Sequence, residues 1–203
     1  GVLASGNLAV GRSTLVYEAG VGNGRSPGLS GAGDAGELES EAAAILGVRF
    51  RPAGLSGLEL GVHTYRDRVD PPGPVGAVDE RIIGGHAVWL ADPEIVVEYL
   101  HFIHEIGGTE TTSDAFYAQV GWKLPPRPTI QPYVRWETVD IGPGDPLFTG
   151  LGLGYEGVIA GVRWDLADFV ALKGELRSEE FAGGPRSTSI VLNTAFVIPN
   201  VIE

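Results

Sequence analysis

Thr129 to Asp140 reads TIQPYVRWETVD, and its reading decides the fold. Ile130, Pro132, Val134, Trp136 and Thr138 recur at every second position, with Gln131, Tyr133, Arg135, Glu137 and Val139 between them. A strand turns successive side chains to opposite faces, so this stretch has one apolar face and one that carries charge. A helical period sorts these residues onto no common face.

The same scheme extends in both directions. Glu156 to Leu166 sets Val158, Ala160, Val162, Trp164 and Leu166 against Ile159, Gly161, Arg163 and Asp165. Phe169 to Glu179 sets Val170, Leu172, Gly174 and Leu176 against Ala171, Lys173, Glu175, Arg177 and Glu179. Ser113 to Leu124 sets Phe116, Ala118, Val120, Trp122 and Leu124 against Tyr117, Gln119, Gly121 and Lys123. Weaker alternation predicts strands over Val2–Val10, Ser13–Val21, Glu39–Phe50, Leu58–Arg68, Glu80–Leu90 and Ser187–Ile198. Glu94 to Ile106, EIVVEYLHFIHEI, alternates imperfectly and fits either a strand bulged near Leu100 or a helix. The total is roughly eleven strands of about 9–12 residues, long enough to cross a bilayer when tilted.

Short connections at Gly11-Arg12, Arg51–Gly57, Ala91–Pro93, Pro125–Pro128 and Leu166–Asp168 alternate with Gly/Pro-rich ones at Asn23–Gly36, Val69–Val78 and Gly142–Gly154. Gly107–Thr112 and Ala182–Arg186 occupy the long positions but are short. This is the rhythm of an up-and-down barrel with turns on one side and loops on the other. The expected fold is therefore all-β, an antiparallel up-and-down transmembrane β-barrel, with residues 1–203 as a single barrel domain or the C-terminal part of one.

Composition narrows the class. The 31 glycines among 203 residues have no three-residue period, which excludes collagen and disfavours a helical bundle. With no cysteine there is no disulfide, thiolate metal site or cysteine nucleophile. A net charge of -12 argues against a nucleic-acid partner. No run of about 18 apolar residues exists for a membrane helix; a barrel needs only alternate apolar positions. No signal peptide is visible, and without methionine Gly1 reads as a processed, cleaved or truncated end.

Alternation alone does not separate a soluble sandwich, apolar face inward, from a membrane barrel, where the faces are reversed. Three features favour the barrel. The strands outrun those of most soluble sheets. Aromatics stand near strand ends on the apolar face, Trp89, Trp122, Trp136 and Trp164 with Phe50 and Phe196, as membrane-interface residues do. Charges of both signs share the other face at mid-strand, so Arg49, Glu98, Lys123, Arg135, Glu137, Arg163, Asp165, Lys173, Glu175 and Arg177 are the candidate pore-lining residues. Its basic members form an anion-attracting ring, or are neutralised locally by Glu98, Glu137, Asp165, Glu175 and Glu179.

Other motifs carry less. Asp34, Glu37, Glu39, Asp140 and Asp145 offer hard oxygen ligands but no EF-hand spacing. His101 and His104 fall on opposite faces of a strand, which defeats shared metal binding, and on one face of a helix. His63 and His86 read as lumen or core residues. Gly20–Gly24 and Gly150–Gly154 open no helix and carry no Walker lysine. Ser and His are present without a recognisable hydrolase arrangement. No enzyme activity, metal or cofactor is expected.

GLELGVHTYRDR from Gly57, RIIGGHAVWLADPEIVVEYLHFIHE ending at Glu105, FYAQVGWKLP, IQPYVRWETVD and GVRWDLADFVALKGELR resemble the later strands of bacterial outer-membrane porin-like proteins of the phosphate-selective porin type. The resemblance rests on a strand ending in an aromatic-acidic pair before a long loop, here Trp136-Glu137, and on G-V-R-aromatic-D turning at once into A-L-K-x-E-x-R, here Gly161–Asp165 and Ala171–Arg177. It implies a bacterial outer-membrane barrel in contact with lipid that passes small hydrophilic solutes or ions by passive diffusion. Two departures stand against it. The chain continues past Phe196 to Glu203, where the family ends on an aromatic, and an odd strand count starts the first strand on the outer side. The expectation is further strands from the same precursor or another chain, or an oligomer; otherwise Val2–Val10 is not a strand and ten strands close alone. A scaffolding barrel in an envelope complex and a soluble β-sandwich binding module are the alternative readings. Burial of Val134, Trp136, Val162, Trp164 and Leu172 separates the sandwich from both barrels.

Overall fold

The computed structural model describes residues 1–25, 42–71, 76–125, 129–148, 154–167 and 169–196. It contains β1 (Val2–Val10), β2 (Ser13–Gly22), β3 (Ala43–Arg51), β4 (Leu58–Val69), β5 (Val78–Trp89), β6 (Glu94–Ile106), β7 (Thr109–Gly121), β8 (Ile130–Asp140), β9 (Tyr155–Ala167), β10 (Val170–Phe181) and β11 (Ser187–Phe196). They form one antiparallel sheet in strict sequence order. The sheet is not closed: among the described residues β1 pairs only with β2, and β11 only with β10. Val2–Val10 is a strand, so the ten-stranded alternative does not hold.

Each strand follows from its period. Register carries the parity of one strand into the next, so a residue's face is fixed across the sheet. Tyr133 pairs with Gly161 and Gly161 with Glu175, and all three lie on the ionic face; Trp136 pairs with Val158 on the other. That other face is uncovered, because the described residues contain no helix and no second sheet. Val134, Trp136 and Val162 are each 46% exposed, Trp164 is 40% exposed and Leu172 is partly exposed. These residues are therefore not packed into a core by any other layer of the described residues.

The apolar face is bounded along the strands. On β9 it runs over nine residues, Val158 to Leu166, with Glu156 beyond its upper end. At about 3.3 Å per residue, tilted by about 40°, this spans roughly 20 Å, close to the height of the lipid-facing band of a membrane barrel. The rim with the short turns carries Phe50, Trp89, Trp122, Trp164 and Phe196. Toward the rim with the long loops, the same face ends in Arg66, Arg68, Asp79, Arg81, Glu105, Asp140, Glu156 and Glu180.

One expectation needs correction. β6 is a strand with unbroken register to both neighbours, without a bulge near Leu100 and without a helix. Its alternation looks imperfect because Val96, Leu100 and Phe102 share the ionic face with Glu94, Glu98 and His104. The one register irregularity recorded in the β9–β10 ladder lies between Val170 and Ala171. β6 and β7 are joined by Gly107-Gly108, with φ of 57° and 81°. A two-residue hairpin turn with both central φ positive matches the strand twist, and glycine adopts it without a Cβ penalty.

Candidate functional site

The ionic face carries two clusters. The first lies on β8, β9 and β10, where side chains two apart on one strand point the same way and meet. Arg163 Nε is 2.8 Å from Asp165 Oδ1, and Lys173 Nζ is 2.7 Å from Glu175 Oε1. Arg177 pairs with Glu175 and lies 3.7 Å from Glu179. Arg135 reaches Glu175 at 3.7 Å, and its Nε lies 2.9 Å from Glu137 at an angle too bent for a hydrogen bond. The Tyr133 hydroxyl donates to Glu175 Oε1 at 2.5 Å. Glu175 thus sits at the centre, its carboxylate wholly buried among three cations and a phenol. Ile159 lies between Arg135 and Arg177 in register and is fully buried.

This cluster needs Gly161. Tyr133 lays its ring over that residue to reach Glu175 two strands away, and a Cβ there would run into the ring. Tyr155 uses the opening at Gly157 in the same way and donates to Glu179 at 2.9 Å.

Of the remaining candidates, Arg49 and Lys123 share this face but sit elsewhere on it. Arg49 is 3.8 Å from Glu18, and Lys123 is 3.5 Å from Glu94; neither partner was anticipated. Glu98 stands opposite His86 and Tyr117 and joins none of these pairs. Every basic candidate therefore has a carboxylate within 4 Å, which is the local pairing foreseen as the alternative to a free cationic ring. The four tryptophans all lie on the apolar face, but Trp89, Trp122 and Trp164 mark the turn rim while Trp136 stands toward the loop rim beside Phe116, ring centroids 5.1 Å apart.

The second cluster was not foreseen. His104 pairs with Glu80 across the β5–β6 ladder, and its Nε2 is 3.0 Å from Glu80 Oε1. Its Nδ1 is 2.9 Å from both oxygens of Asp145, in the connection after β8. Ser113 donates to Asp145 Oδ2 at 2.6 Å and receives the Gly142 N–H at 3.1 Å. Arg25, just after β2, grips Glu80 through Nε at 2.8 Å and Nη2 at 2.7 Å, while its backbone N–H donates to Asp67 at 2.8 Å. Asp145 also accepts from the Leu147 and Phe148 N–H groups, and Phe148 packs edge-on to His104 and Phe102. Two connections of the loop rim are thereby tied onto the ionic face. Burial acts to raise the Asp145 carboxyl, but Ser113, the Phe148 N–H and His104 outweigh it and hold its pKa below the ordinary aspartate value.

Chemically, this is no nucleophile set. Ser113 bonds Asp145 rather than His104, both imidazole nitrogens face carboxylates, and Ser113, His104 and Asp145 are all buried. Asp145 serves the loop and not a cation site, while Asp34, Glu37 and Glu39 lie outside the described residues, as does most of Gly150–Gly154. His101 and His104 are on opposite faces; His101 pairs with Asp114 at 2.7 Å on the apolar side. Among the described residues no group of three or more His, Asp or Glu could hold a metal ion.

No family model, curated protein or solved structure matches this chain.

Proposed function

We propose that the sheet is the wall of a transmembrane β-barrel of porin type in a bacterial outer membrane, passing small hydrophilic or ionic solutes by passive diffusion without a cofactor. The observation that carries this is the orientation of the two faces. Valine, leucine and tryptophan stand exposed in a band of bilayer height, while arginine, lysine and glutamate are half-buried in mutual pairs on the other side. Lipid is the partner chemistry that such a band fits, since no second layer of the described residues covers it. Because the charges on β8 to β10 neutralise one another locally, that part of the wall supplies no net field for anions, and the solute is selected there by size.

A scaffolding barrel is favoured by one observation: segments at Arg25 and Gly142–Phe148 lie over the ionic face and occupy space a solute would need. The test is extraction and conductance. A detergent-dependent protein that gives ohmic steps in a planar bilayer supports the channel. Detergent dependence with no conductance supports the scaffold, and a stable monomer free of detergent overturns both.

A further inference from the structure

We propose that His104 is an imidazolium clasp that holds Gly142–Phe148 against the ionic face, and that loss of its proton releases this segment. Both ring nitrogens lie 2.9 to 3.0 Å from carboxylate oxygens, Asp145 on one side and Glu80 on the other. Neutral imidazole has one N–H and one lone pair, so it donates to only one of them. The other nitrogen would then press a lone pair against a carboxylate at a site where the side chains are 0–1% exposed. Only the doubly protonated ring satisfies both.

The surroundings point to the side that gives way. Glu80 keeps two bonds from Arg25 whatever His104 does. Asp145 faces Ser113 and two backbone N–H groups, and among the described residues His104 is the one cation in contact with it. The other groups around the ring are Thr111 of β7, whose hydroxyl donates to the His104 carbonyl, and the apolar Phe102 and Phe148. Asp67 and Tyr65 of β4 stand behind Arg25. An uncompensated buried carboxylate is costly. Glu80 is held in a ladder, whereas Asp145 lies on a connection that lifts, taking Phe148 with it. The docked form binds one more proton than the released form, so docking is favoured at low pH and gives way as pH rises.

This inference stands apart from the channel reading, because the docking is a property of the loop whatever the sheet conducts. The test is hydrogen exchange read by mass spectrometry on the whole detergent-solubilised chain from about pH 5 to about pH 10, corrected for intrinsic rates. Protection of the Gly142, Leu147 and Phe148 amides is expected to fall about tenfold in one alkaline step, with β8 and β9 unchanged. In His104→Gln, neutral at every pH, the step is expected to vanish. A wild-type loop with no step, or a His104→Gln loop that keeps it, overturns the proposal. Asp145→Asn keeps the test decisive should His104→Gln not fold: its step should move to lower pH, and an unmoved step overturns the proposal equally.

Discussion

Tyr133 donates its hydroxyl hydrogen to Glu175 from two strands away, crossing β9 above Gly161. The bond reaches a buried carboxylate that three cations already surround. Tyr133→Phe keeps the ring and removes that donor, so about 2 kcal/mol of stability is expected to be lost. Denaturant unfolding in detergent, followed by tryptophan fluorescence, measures it; an unchanged midpoint would show the bond to contribute nothing.

The same crossing requires the absence of a side chain at Gly161. Gly161→Val drives a branched Cβ into the Tyr133 ring and is expected to cost about 1–3 kcal/mol. In a Tyr133→Ala background most of that cost should disappear, because the two changes share one space. Additive effects in the double-mutant cycle would contradict the ring-over-glycine packing.

Val162 lies midway along the exposed apolar run of β9. If that run faces lipid, Val162→Arg is expected to cost about 2–4 kcal/mol for folding into vesicles. A soluble protein with Val162 in water would lose almost nothing, so vesicle refolding distinguishes the two.

Acid should loosen the loop from the opposite direction to base. The pKa of Asp145 is depressed in the folded protein, so its ionised form stabilises the docked loop above the unfolded aspartate pKa of about 4. That contribution is lost as pH falls through the lower folded value. Loop protection should therefore decline below about pH 4, and Asp145→Asn should abolish this acid limb. A wild-type loop equally protected on both sides of that range would refute it.

How much of this is readable from the residues alone depends on how far apart the partners lie. β9 was expected over Glu156–Leu166 and spans Tyr155–Ala167, because clean alternation of Val, Ala and Trp with Gly and Arg leaves a strand no competitor. That Arg163 shares a face with Asp165, and Lys173 with Glu175, was also legible, since residues two apart point the same way. Their spacing suggested ion pairs across adjacent strands, whereas these two form within one strand. β6 was harder, since its ionic face is half apolar. The His104 cluster was not found. Its first link was countable, because Glu80 and His104 lie equally far from Asp92, the middle of the turn at Ala91–Pro93. The link to Asp145 depends on a connection folding back over the face, and no local period encodes that.

The odd number of strands among the described residues has a consequence for how the proposed barrel would close. β1 and β11 both run from the loop rim to the turn rim. Zipping them together would make a parallel seam in an otherwise antiparallel sheet. A second copy in the same orientation offers no remedy, since its outermost strands point the same way. An antiparallel seam on both sides requires an intervening ribbon that contributes an odd number of strands.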